Sequence, residues 1–159
     1  MKIMRKIQKK QLAVAAFLAC AVFVVGGCSV IDHPNNKKQD GYWHLVKVDT
    51  LETGGVKDFS NALLFWSIQA RLLTVNDRSE TSTTEQGFVM HMTIKNKTSI
   101  HIYDIRYHDK ADGDPEVTNV DELRPFGINQ LDETFTIESV SGSKMILKDD
   151  MLRLYFKRM

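Results

Sequence analysis

The fold is indicated most clearly by the stretch FVMHMTIKNKTSIHIYDIRY, residues 88–107. Apolar residues occupy its positions 88, 90, 92 and 94, and the residues between them are mostly polar. Because successive side chains of a strand point to opposite faces, this alternation predicts a strand with one buried face. Asn96-Lys97 then marks a two-residue turn, so residues 99–107 are predicted to return as an antiparallel partner.

Runs of the same kind continue along the rest of the chain. The clearest covers residues 152–156, and weaker ones cover residues 42–48, 134–140 and 144–148. Short connections rich in Gly, Ser, Asn and Asp separate these runs, as is typical of hairpins. The pattern favours β-structure over helix throughout this part of the chain.

Two further segments complete the predicted sheet. Residues 63–75 are rich in leucine and could form a helix, but Trp66 and Ile68 alternate with polar residues, so we interpret the segment as one strand. A short strand is predicted over residues 123–128. About eight antiparallel strands predict an all-β domain folded as an up-and-down barrel, because closure leaves no exposed edge.

The N-terminal part has the features of a secretory signal. A basic segment over residues 1–10 is followed by an apolar run over residues 12–25 and by the small pair Gly26-Gly27. At about 14 residues the run is shorter than the roughly 20 that a bilayer-spanning helix needs. We therefore expect residues 1–27 to be a cleaved signal peptide.

The stretch Val25-Gly26-Gly27-Cys28 resembles the bacterial lipobox. The resemblance implies that Cys28 receives a diacylglyceryl group and becomes the new N-terminus, whereas Cys20 lies inside the apolar run. Residues 28–40 are then expected to be a lipidated N-terminus with a polar, flexible linker, and residues 41–159 one folded domain.

The position of the lipid anchor in the cell is also an expectation by resemblance. In Gram-negative sorting an aspartate after the lipidated cysteine retains lipoproteins in the inner membrane, and this chain has Ser29 there. That difference implies the outer membrane. The linker has no acidic cluster of the kind that resembles a surface-export signal, so we expect the domain to face the periplasm.

Charge separates the leader from the domain. The leader holds five basic and no acidic residues, so 16 of the 21 basic residues and all 20 acidic residues follow it, a formal net charge of −4. Nucleic-acid binding uses a surplus of Lys and Arg to neutralise phosphates, so nucleic acid is not an expected partner. The two cysteines of the chain, Cys20 and Cys28, both lie before the predicted domain. The domain therefore has no thiol for a disulfide framework or a cysteine metal site.

The start and the end of the domain resemble a known family. Gly41-Tyr42-Trp43 resembles the Gly-x-Trp opening of lipocalins, and residues 135–156 are similar to the last strands of small lipocalin-like lipoproteins of Bacteroidetes. The resemblance implies a lipocalin-like barrel in which the tryptophan lies beneath a basic side chain of the last strand, here Arg153 or Arg158.

A barrel of about eight strands either holds one small ligand or is filled by its own side chains, and the sequence leaves both alternatives open. The large apolar side chains expected to point inward, as ligand lining or as plain core, belong to seven different predicted strands. They are Trp43, Trp66, Phe88, Met90, Met92, Ile102, Phe135, Met145 and Phe156.

No metal site is predicted. With a two-residue turn His91 lies opposite Ile102, which sends His91 and His101 to opposite faces of the sheet. Asp109, with the aspartates on either side of Gly113, resembles only a fragment of a calcium loop, and a solvated turn is the expected structure.

The leading hypothesis is a membrane-anchored, lipocalin-like protein that binds a small apolar or amphipathic ligand in the cell envelope. The alternative is an interaction module with a filled barrel that serves as an accessory subunit of an envelope complex. The chain contains no nucleophile elbow, phosphate loop or zinc-binding histidine pair on a helix, so neither an enzyme nor a bound cofactor is predicted. A continuous cavity favours the first hypothesis and a packed interior favours the second.

Overall fold

The computed structural model describes residues 38–80 and 87–159. The predicted signal peptide, Cys28 and most of the predicted linker lie outside the described residues. No helix in the described ranges is long and apolar enough to cross a membrane. Their regular structure consists of nine strands and two 3-10 turns: β1 (Gly41–Thr50), β2 (Val56–Asp58), β3 (Leu64–Gln69), β4 (Leu72–Asp77), β5 (Phe88–Lys95), β6 (Ser99–Tyr107), the turns Val120–Glu122 and Arg124–Phe126, β7 (Glu133–Val140), β8 (Lys144–Lys148) and β9 (Leu152–Arg158).

The strands form one antiparallel sheet that closes on itself. Neighbours follow chain order, and β1 pairs with β9 from Trp43↔Arg158 to Thr50↔Leu152. Strand β2 is an addition that pairs only with the second half of β1, so eight strands form the closed wall. The predicted antiparallel up-and-down barrel of eight strands is confirmed.

The predicted alternation places the apolar side chains inside the barrel. On β5, Phe88, Met90 and Met92 are buried, whereas His91 between them is exposed. In the middle of the core the Trp66 ring contacts Phe135 edge-on, at 5.7 Å between ring centres, and Phe156 at 5.0 Å. Because one face of every wall strand is apolar, closing the sheet buries a continuous core.

The single strand predicted over residues 63–75 is wrong. The segment forms the hairpin β3–β4, in which Gln69 pairs with Leu72 across the turn at Ala70 and Arg71. Ala70 has a φ of 57°, a conformation that usually calls for Gly or Asn. The turn was not predicted because its residues are not typical of turns. The Asp40 carboxylate stabilises it by accepting a hydrogen bond from the Ala70 N–H at 3.1 Å.

The strand predicted over residues 123–128 is also wrong. These residues lie in and around the two 3-10 turns, which follow Asn119 as the capping residue. Pro125 removes a backbone donor and sets φ for a helical turn, which disfavours a strand here. The apolar spacing Leu123 to Phe126 matches the three-residue repeat of a 3-10 turn, so both side chains point the same way.

The segment of residues 117–128, which we call the plug, inserts into the end of the barrel. Its apolar side chains Val117, Leu123, Phe126 and Ile128 are all buried in the same core cluster as the wall strands. The Trp66 indole Nε1 donates a hydrogen bond to the Phe126 carbonyl at 3.1 Å, which fixes the plug to β3. The plug thus occupies space that would otherwise open at this end of the barrel.

Gly127→Ala should destabilise the domain more than a glycine-to-alanine substitution at a site with open space around it. Gly127 has a φ of 81°, and a Cβ there would lie 2.6 Å from Leu154 Cδ2 inside the barrel. Strain and overpacking together should lower the free energy of unfolding by at least about 2 kcal/mol, measured by urea denaturation. Gly113→Ala is the matched control, because Gly113 also has a positive φ but no atom within 4 Å, and it should cost about 1 kcal/mol. Equal losses in the two variants would contradict the close packing of the plug.

Candidate functional site

All nine candidate lining residues lie in the buried core. Seven of them are 0% exposed, Met90 is 1% exposed and Phe156 is 2% exposed. A side chain with no accessible area adjoins no water-sized space, so in this structure the side chains of wall and plug fill the barrel around these residues. Whether any of the nine contacts a ligand in another state of the barrel stays a prediction.

One end of the barrel is closed by the predicted pair of tryptophan and basic side chain. The Arg158 guanidinium lies over the Trp43 ring at 4.6 Å from its centre, so Arg158 and not Arg153 takes this position. Arg158 also donates to the carbonyls of Lys38 and Asp40, both at 2.8 Å. The last residues of the predicted linker are therefore held against the barrel.

The predicted register of the β5–β6 hairpin is wrong by one residue. The loop has three residues, since Lys95 pairs with Ser99, and His91 pairs with Tyr103 instead of Ile102. Both histidines therefore face outward on the same side, where their rings stack on Tyr103. Each is hydrogen-bonded to a carboxylate, His91 to Asp104 at 2.9 Å and His101 to Asp132 at 2.8 Å.

An acidic cleft lies on the outside of the barrel, at the end where the plug enters. It has a volume of about 510 Å³ and is bounded by the segment before β7, by β7 itself and by the β8–β9 turn. Its charged lining consists of five carboxyl side chains and one ammonium group: Asp132, Glu133, Glu138, Asp149, Asp150 and Lys148.

Glu133 is the unusual residue of this cleft, because it is a carboxyl group with only 5% of its surface exposed. Its Oε2 accepts hydrogen bonds from the backbone N–H groups of Asn129 at 2.9 Å and Gln130 at 3.4 Å. Burial and the neighbouring Asp149 carboxyl outweigh these donors and raise the pKa of Glu133 to about 8. Glu138 behaves in the opposite way, since its hydrogen bonds to Arg153 lower its pKa.

Sequence reasoning missed Glu133 and Asp149. A signal for Glu133 exists, because it lies two residues before Phe135 and so belongs to the apolar, inward-facing series of β7. Asp149 gives no such signal, because an aspartate in a hairpin turn is ordinary.

The other polar candidates do not assemble into a site. Asp109 accepts from the Ala111 N–H at 3.0 Å, as in a simple polar turn. Across the part of the chain that the structure describes, no group of three or more His, Cys, Asp or Glu side chains is placed to hold a metal ion.

The closed barrel, its tryptophan–arginine pair and its apolar interior define a lipocalin-type β-barrel. The family model of the lipocalin-like domain matches residues 21–159, so the chain belongs to the lipocalin-like family. No curated protein matches the chain.

Two solved structures share the fold. One is a lipocalin-like protein from Bacteroides uniformis ATCC 8492, with 18% identity, a TM-score of 0.54, and coverage of 76% of this chain and 97% of that chain. The other is an uncharacterized protein from Bacteroides eggerthii DSM 20697, with 19% identity, a TM-score of 0.57, and coverage of 76% and 98%. The predicted resemblance to lipocalin-like proteins of Bacteroidetes is confirmed at the level of the fold.

Glu133→Gln should remove a pH dependence of stability. Glu133 has a pKa of about 8 in the folded chain and near 4.5 when unfolded, so the folded state holds an extra proton between these values. Stability is therefore full below pH 4.5 and falls towards pH 8, by on the order of 5 kcal/mol at about 1.4 kcal/mol per pKa unit. Thermal denaturation from pH 4.5 to 9 should show this fall in the wild type and a much flatter profile in Glu133→Gln.

Glu138→Gln is the matched control from the same cleft. Its pairing with Arg153 stabilises the chain above the ordinary pKa of Glu138 and is lost in acid, so the variant should lose at most about 1 kcal/mol at neutral pH. The downward slope with rising pH should persist in Glu138→Gln. A wild-type profile without that slope would contradict the environment described for Glu133.

Proposed function

We propose that this chain is a lipid-anchored, non-enzymatic binding protein of the cell envelope. In this proposal the filled barrel is a scaffold, and the outer wall and loops contact a partner. The observation that carries it is the packing of the interior, where none of the nine candidate lining residues is more than 2% exposed. Barrels of eight strands have interiors of the size that side chains can fill completely.

A second candidate is the binding of a small apolar ligand inside the barrel. It is favoured by the position of the plug in the chain. Its four buried apolar side chains belong to the connection between β6 and β7 and not to the wall strands. Withdrawal of the plug would vacate the volume of these side chains without breaking any pairing between wall strands. The space left would be lined by aromatic and methionine side chains, as is common in apolar ligand pockets.

Native mass spectrometry of the lipidated protein, purified from its own envelope in detergent, distinguishes the two. We expect the measured mass to equal that of the processed and lipidated chain, with no further small molecule. We also expect chemical cross-linking to retain a protein partner. A reproducible extra mass that organic extraction removes would overturn the scaffold proposal in favour of the interior ligand.

A pair of variants tells whether such an extra mass lies in the barrel. Leu123→Ala enlarges the interior at a fully buried position of the plug, and Leu72→Ala removes an outward side chain that is 46% exposed. An interior ligand should change its occupancy in Leu123→Ala alone. A ligand on the outer surface should not respond to Leu123→Ala.

The anchor is proposed from the sequence around Cys28. Intact-mass analysis of the wild type should show a chain that lacks residues 1–27 and carries a diacylglyceryl group. Cys28→Ala should abolish both changes because it removes the acceptor thiol, whereas Cys20→Ala should leave both intact. Lipid on the Cys28→Ala variant, or a wild type without lipid, would refute this part of the proposal.

A further inference from the structure

Two carboxyl groups meet at the end of the barrel where the plug enters. Because wall strands alternate in direction, the first residue of β7, Glu133, and the residue after β8, Asp149, lie at the same end, opposite to Trp43 and Arg158. Both side chains line the same cleft, and the neighbouring Asp149 carboxyl contributes to the raised pKa of Glu133. We call this pair the clasp.

The contacts of Asp149 indicate that the clasp contains a proton. Asp149 Oδ1 accepts hydrogen bonds from the backbone N–H groups of Met151 and Leu152 in the β8–β9 turn. Asp149 Oδ2 is buried and has no N–H or hydroxyl donor within reach. Carboxylates can only accept, so a buried carboxyl next to this oxygen is favoured in its protonated form, and a protonated Glu133 would supply the donor that Asp149 Oδ2 lacks.

The surroundings of the clasp favour the proton on Glu133. Asp149 is the charged side chain that acts on it directly, together with the backbone donors of Asn129 and Gln130. The remaining charged groups of the cleft come from the segment before β7, from β7, and from both sides of Asp149: Asp132, Glu138, Lys148 and Asp150. Three of these four are acidic, so they add no net compensation for a second buried negative charge.

The clasp lies next to the plug in the chain. Glu133 holds the backbone of Asn129 and Gln130, and these residues directly follow Ile128, the last buried residue of the plug. The partner Asp149 belongs to the turn between two wall strands. The clasp therefore ties the base of the plug to the rim of the barrel.

We propose that Glu133 and Asp149 form a proton-dependent clasp that holds the plug in the barrel. With the proton in place, the two side chains share a hydrogen bond across the gap between plug base and rim. Loss of the proton leaves two carboxylates in contact, whose repulsion separates the segment 129–132 from the β8–β9 turn. The plug then withdraws, the bond from the Trp66 indole to the Phe126 carbonyl breaks, and the apolar interior is uncovered.

Hydrogen–deuterium exchange of the full-length lipoprotein in detergent micelles tests the clasp. Exchange rates are divided by the intrinsic rate at each pH, which gives the opening constant of each amide. Plug amides over residues 117–132 should open about tenfold more per pH unit between pH 5 and 7.5 and level off above pH 8, because the open state releases the proton of Glu133. They should open at least about tenfold more readily than the β1 and β9 amides near Trp43 and Arg158, which report opening of the whole barrel.

Variants separate the clasp from a general effect on stability. Glu133→Gln keeps a donor towards Asp149 but cannot ionise, so its plug amides should show no pH slope. Asp149→Asn removes the repelling charge and should shift the levelling-off to lower pH, and it serves as a second route if Glu133→Gln folds poorly. Glu138→Gln, from the same cleft, should keep the wild-type slope.

Three results would overturn the proposal. The first is a wild-type opening constant of the plug that does not change with pH. The second is a slope that survives in Glu133→Gln. The third is a single opening constant shared at every pH by the plug and by the β1–β9 amides, because Glu133 would then act only on unfolding of the whole barrel.

Discussion

The pairing of β1 with β9 is the constraint on which the rest of the structure depends. It joins the last strand over its whole length to most of the first, from Trp43 opposite Arg158 to Thr50 opposite Leu152. Without it the sheet would expose two edges and one apolar face. With it the apolar face becomes an enclosed interior, and every inward side chain has neighbours on all sides.

Closure also makes the two ends of the barrel different. At one end Arg158 covers Trp43 and binds the carbonyls of residues 38 and 40, so chain start and chain end seal each other. At the other end the wall strands leave room, and the long β6–β7 connection fills it with the plug. The first end is closed by residues next to the closing strand pair, whereas the second is closed by a separate segment that the Glu133–Asp149 pair ties to the rim.

A feature of this fold was predictable from the sequence when its signal lies within a short stretch of residues. The strands at residues 88–95 and 152–158 were predictable because alternation of apolar and polar side chains is a local consequence of a one-sided sheet. The hairpin at Ala70 was not, because its positive φ is imposed by pairing of the flanking strands. The histidine register depended on one additional loop residue, and a slip of one residue moves a side chain to the other face.

The sequence by itself determined the all-β class, the barrel of eight strands, the lipocalin-like family and the inward series of large apolar side chains. These properties depend on side-chain alternation and on short motifs, which can be read residue by residue. The tertiary structure decided that residues 117–128 enter the barrel, that Arg158 and not Arg153 covers Trp43, and that Glu133 meets Asp149. The physical reason is that each of these contacts joins segments brought together only by closure of the sheet, and no local pattern records which distant groups closure will bring into contact.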